Sequence, residues 1–188
     1  MRAGGAALAA LAALALSACG GSQQDAHEPS GKFKVEVHGR FPAKQKLAKR
    51  SVMVVTVKNV DSRPLPNPSV TVDSFNRNST QANLADASRP VFIVNSGPVG
   101  GDTANQSTSA FGRELRPGQV ATFKWNVTAV QPGPFKIKYT VSAGLYGKAV
   151  AVDPSGRENP SGHFRGIVVQ AAPHTTVNFK NGKTVQGG

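Results

Sequence analysis

The chain contains one thiol, Cys19, and no second cysteine with which to bridge it. A lone thiol can serve as a nucleophile, a metal ligand or an acceptor for lipid. The other side chains that do chemistry are too scattered to support the first two roles. His27, His38, His163 and His174 lack the i, i+4 or His-x-His spacing that turns two imidazoles onto one ion, so no metal site is expected. Gly182-Lys183-Thr184 matches the end of a phosphate-binding loop, but Val177 stands where the upstream glycine belongs and no helical pattern follows. Ser161-Gly162-His163 pairs a hydroxyl with an imidazole but has no acid placed to orient them, and no Gly-x-Ser-x-Gly elbow occurs. Carboxylates are sparse, and no two are placed for glycoside hydrolysis. The residues therefore point away from an enzyme: no catalytic residue, no cofactor and no metal.

The setting of Cys19 gives it a different chemistry. Arg2 supplies a short positive start, and residues 6–16 are almost purely Ala and Leu. That run is too short to span a bilayer, which takes about 20 apolar residues, but it has the length of a signal-peptide core. It closes on Leu16-Ser17-Ala18-Cys19. These four residues resemble the lipobox of bacterial lipoprotein precursors. The resemblance implies cleavage after Ala18, acylation of the Cys19 thiol, and a mature protein held at the extracytoplasmic face of the cell membrane. One acyl chain binds a membrane only reversibly and two or more give a stable anchor, so a multiply acylated Cys19 is a lasting tether. With its thiol lipidated, the mature chain has no disulfide, and packing must stabilise the fold.

The formal net charge is +12. A balance this basic suits nucleic acid or an anionic surface. No recognition-helix pattern or interleaved aromatic-basic motif is present, so nucleic acid is not expected. Lys32, Lys34, Arg40, Lys44, Lys46, Lys49 and Arg50 face Glu36 alone within 19 positions. The segment reads either as a solvated face or as a contact with anionic lipid or wall polymer, each cation contributing about 1 kcal/mol within a Debye length of about 8 Å. Another envelope protein is a further possible partner.

The chain then divides into four parts: signal peptide 1–18, flexible tether 19–31, a β domain 32–172, and a tail or hairpin 173–188. Residues 20–31 are rich in Gly, Ser and Gln and have the composition of a leash. From Lys32 the pattern has period two, with Phe33, Val35 and Val37 on one face of a first strand. Residues 51–57 are nearly continuous β-branched side chains and predict a strand covered on both faces. Val70 and Val72 with Phe75 predict a third strand, and residues 91–94 a fourth. The stretches 76–90 and 96–113 read as long loops, either functional or mobile; Phe111 is a candidate apolar contact in the second. Ala121, Phe123, Trp125 and Val127 alternate with polar residues, as do Phe135, Ile137, Tyr139 and Val141 after Gln131-Pro132-Gly133-Pro134, which predicts a hairpin. Residues 150–152 predict an edge strand and 164–169 the last strand. Asn181-Gly182 predicts the turn of a terminal hairpin.

Leu115-x-Pro117-Gly118, a strand, Pro132-Gly133-x-Phe135 and a second strand resemble bacterial immunoglobulin-like domains of surface and adhesion proteins. The resemblance implies a single antiparallel β-sandwich, although the antibody-type cysteine pair is absent and Trp125 falls late in the strand order. The expectation is a membrane-anchored, non-catalytic binding, adhesion or envelope-assembly module. The alternative is an accessory ligand-binding protein or enzyme with a site built from residues 96–113.

Overall fold

The computed structural model describes residues 27–73, 90–105, 107–170, 175–177, 181 and 184–186 of the 188. Among these there is no helix. The first sheet holds, in spatial order, β10 (Ala149–Val152), β1 (Gly31–Arg40), β3 (Arg50–Asn59), β8 (Val120–Ala129) and β5 (Phe92–Val99). The second holds β2 (Lys44–Lys46), β11 (Ser161–Val169), β9 (Gly133–Ser142), β4 (Ser69–Val72), β7 (Thr108–Ala110) and β6 (Asp102–Thr103). Pairing is antiparallel except at two peripheral contacts, β1 with β10 and β2 with β11, which are parallel. The chain leaves the first sheet after β1, where Pro42 has no N–H to extend the ladder, and joins the second as β2.

The period-two pattern explains the core. Phe33 and Val35 of β1, Met53, Val55 and Val57 of β3, and Ala121, Phe123, Trp125 and Val127 of β8 face Phe135, Ile137, Tyr139 and Val141 of β9 across one buried layer. Each of the Val, Ile, Met and Phe side chains contributes roughly 1.5–3 kcal/mol by leaving water. At one end Phe41, Phe92 and Phe135 meet edge to face at 5.1–5.7 Å, and Phe164 joins them through Phe41 at 5.7 Å.

Three expectations are corrected. Residues 51–57 are covered on one face only: Val52 is 44% exposed, because a two-layer sandwich gives each sheet a single core face. The strands 121–129 and 133–142 do not pair as a hairpin. β8 pairs with β3 and β5, whereas β9 pairs with β11 and β4, so the turn at Gln131 and Pro132 crosses between sheets. Alternation assigns each strand a buried face and does not distinguish a neighbour beside it from one across the core. Half of residues 96–113 lies in strands rather than loop: β5 runs on to Val99, then β6 and β7 lead into the second sheet, and Phe111 packs against the core. The edge strand near 150–152, the strand at 164–169 and a terminal pair, β12 (Thr175–Val177) with β13 (Thr184–Gln186), are found as expected. Phe75 and nearly all of 76–90 lie outside the described residues.

Candidate functional site

β1 runs the length of the sandwich, about 30 Å for ten residues at about 3.3 Å each, and defines two poles. Gly31, at one pole, donates its backbone N–H to Lys148 O at 3.0 Å. Beside it Glu28 accepts three backbone hydrogen bonds, from Leu145 and Tyr146 on Oε1 at 2.6 and 3.0 Å and from Lys148 on Oε2 at 2.9 Å. A residue inside the expected leash is thus tied to the turn between β9 and β10.

The same pole is organised by Asn59, which is fully buried at the end of β3. Its amide donates to Leu115 O at 2.8 Å and Arg63 O at 2.9 Å, while its Oδ1 accepts from the Asp61 N–H at 2.8 Å. Burial raises the Asp61 pKa, but this is outweighed by the Arg63 side chain and by the backbone N–H groups of Lys34 and Arg63. The carboxyl titrates at about 2. Arg63 also lies 4.4 Å over the Phe33 ring and donates to Lys32 O.

The opposite pole follows Arg40. Here the segment from Pro42 to Ser51 wraps a hollow of about 200 Å³ lined by Lys44, Lys46, Lys49 and Arg50. Gln45, only 5% exposed, fixes its wall: the amide donates to Pro42 O at 3.0 Å and accepts from Ser51 Oγ at 2.6 Å. Lys44 and Lys46 also continue onto the outer face of the second sheet, because β2 lies along β11 with Lys44 opposite Ile167 and Lys46 opposite Val169. On that face Arg165 stands directly opposite Lys136, and His163 opposite Lys138. Lys138 pairs there with Asp73 at 3.8 Å.

A second cavity, of about 370 Å³, opens beside β1 and β11 between Glu36, His38, Tyr139, Asp153, Arg157 and Ser161. Gly39 and Gly162 make room for the Tyr139 hydroxyl, since a Cβ at either would collide with it. Burial raises the Tyr139 pKa. Asp153 is held down to about 2, first by the Ser155 hydroxyl against the opposing effect of burial, then by Arg157, with which it pairs at 2.7 Å. Its carboxylate is committed to its own turn. Glu36 pairs with Lys58 at 3.5 Å.

The expected basic segment therefore divides. Lys32 pairs with Glu158 at 2.6 Å, and Lys34 and Arg40 lie on β1, whereas Lys44, Lys46, Lys49 and Arg50 gather at the far pole. Lys136, Lys138 and Arg165 join them across the sheet. The alternation marks Lys136 and Lys138 as outward positions of one strand, and nothing in the sequence pattern singles out Arg165. The signal for Lys136 and Lys138 is that both outward positions of Phe135-Lys-Ile-Lys-Tyr139 are cations. Neither cavity draws on residues 96–113. Among the described residues no three His, Cys, Asp or Glu side chains converge on a metal position. Cys19 and His174 lie outside the described residues.

No family model matches the chain, and no curated protein matches it. Among solved structures it is similar to the CARDB domain of a Pyrococcus furiosus protein, at 18% identity over 73% of this chain and 94% of that one, with a TM-score of 0.47. It is also similar to Escherichia coli alpha-2-macroglobulin, at 19% identity, 76% and 7% coverage and a TM-score of 0.46. A cohesin module from a Clostridium perfringens glycoside hydrolase gives 6% identity, 74% and 99% coverage and 0.45. The described residues form a two-sheet β-sandwich. These similarities concern architecture and carry nothing about ligands.

Proposed function

We propose that the chain is a lipid-anchored, extracytoplasmic binding module without catalytic activity, tethered through Cys19 and engaging an anionic partner with the outer face of its second sheet. The observation that supports binding is the cross-strand pair of Arg165 and Lys136, flanked by Lys44 and Lys46. Like charges directly opposite on adjacent strands destabilise a sheet. Neighbouring cations within about 5–7 Å lie inside one Debye length, so their fields add toward an approaching anion. An arrangement that costs stability in the free domain and gains it in a complex is better explained by a partner than by folding.

The anchor rests on the lipobox. In membrane fractionation after a high-salt wash, the wild-type chain stays with the membrane and Cys19→Ala moves to the soluble fraction. Retention of Cys19→Ala in the washed membranes overturns the anchor. A second reading, adhesion to another envelope protein, is favoured by the first sheet, whose outer face leaves Val52, Ile93 and Val99 exposed, the last at 61%.

A further inference from the structure

We infer that the hollow inside the Pro42 to Ser51 turn is a binding site for phosphate esters, and that it takes them from a polyphosphodiester chain outside the membrane rather than from the anchoring bilayer. Its volume, about 200 Å³, is below the roughly 300–1,000 Å³ of sites for drug-sized organic ligands and suits one small anionic group. Its charged lining is all cationic. Lys44, Lys46, Lys49 and Arg50 surround it, and among the described residues no carboxylate lies in the segments that form this pole, residues 39–54, 126–136 and 164–170. Ammonium groups bind phosphate as point charges, and a guanidinium can engage two of its oxygens at once. The site is also built. Gln45 is buried and hydrogen-bonded on both sides of its amide, and beneath the turn Phe41 packs against Phe92, Phe135 and Phe164.

Two features select the source of the phosphate. The cations do not stop at the hollow: Lys44 and Lys46 lead onto the sheet face, where Lys136 and Arg165 continue the line. A single headgroup or a free ion would use only the hollow, whereas a chain of phosphodiesters can follow the whole line. The second feature is direction. The hollow lies about 30 Å along β1 from Gly31, the end of β1 nearer in sequence to Cys19, several times the Debye length of about 8 Å. A domain tethered at that pole presents the hollow outward. This directional argument rests on the lipid-anchor reading, while the site itself does not.

The test uses the full chain, carrying Cys19→Ser so that it is handled without lipid, in calorimetric titrations with synthetic poly(glycerol phosphate), inorganic phosphate and vesicles containing phosphatidylglycerol. The polymer binds most tightly, and its affinity falls steeply with added salt. Lys46→Glu/Lys49→Glu weakens it about tenfold or more, at roughly 1 kcal/mol for each cation near an anionic surface. Lys34→Glu/Arg116→Glu makes the same change in net charge at the other pole and weakens it less than twofold. Amide NMR shifts with inorganic phosphate appear first in residues 43–51, a measurement that needs no variant. Equal weakening by the two double variants, tighter binding to vesicles than to polymer, or shifts confined to other segments overturns the proposal. Polymer binding by this Cys19→Ser chain keeps the site even where the fractionation experiment removes the anchor.

Discussion

The two poles of the sandwich use polar side chains in opposite ways. Near Gly31 each group has internal partners: Glu28 caps three backbone N–H groups, Asn59 bridges Leu115 and Arg63, and Asp61 gathers Arg63 and Lys34. Near Arg50 the buried polar side chains among the described residues are Gln45 and Gln131, and the cations lining the hollow have no carboxylate in the segments around them. The first arrangement closes loops on the core. The second leaves charge facing outward, so the poles divide folding from recognition, and substitutions at each should move different observables.

Asn59→Leu should have the largest effect. It removes the amide donors to the Leu115 and Arg63 carbonyls, of which the first keeps its bond from the Leu65 N–H, and the acceptor of the Asp61 N–H, and losing such bonds at a buried site costs about 1–3 kcal/mol. The urea midpoint should fall accordingly, with polymer affinity unchanged among the molecules that remain folded. A variant as stable as wild type would remove the distinction between the poles.

Acid should act in the same place. The Asp61 carboxyl titrates at about 2 in the folded chain and near 3.9 in an unfolded one, so unfolding takes up a proton between those values. Its contribution is complete above about pH 4 and declines as pH falls toward 2. In thermal melts across that window Asp61→Asn should flatten the acid limb, whereas Lys49→Ala at the other pole should leave it as steep as in wild type.

The sequence made much of the scaffold legible. Alternation in Phe33 to Val37, Ala121 to Val127 and Phe135 to Val141 located β1, β8 and β9 and the face each one buries, because the side-chain period of a strand is two wherever it pairs. The partners of each strand were not legible, which is why β8 and β9 were expected side by side and lie across the core. Asn59 stood at the start of a proline-rich turn, and nothing local reveals that its amide is buried 56 positions from the carbonyl it satisfies. The binding surface was half legible for the same reason. Lys44 to Arg50 is a run in sequence, but Lys136 and Arg165 become neighbours of it only through the pairing of β9 with β11 and of β11 with β2.

Lys136→Glu probes that pairing with the smallest change in stability. In the wild type Arg165 and Lys136 oppose one another on exposed positions, and the variant converts the repulsion to attraction across the same register. Cross-strand charge pairs are worth about 0.2–1 kcal/mol, so the urea midpoint should rise slightly while polymer affinity falls. In 1 M salt, where the Debye length shrinks to about 3 Å, the gain should fade, because both side chains are solvated. A substitution that stabilises the domain and weakens its binding is the expected signature of charge held at a cost to folding for the sake of a partner. A loss of stability instead would make Lys136 a structural residue and leave the Pro42 to Ser51 hollow to bind alone.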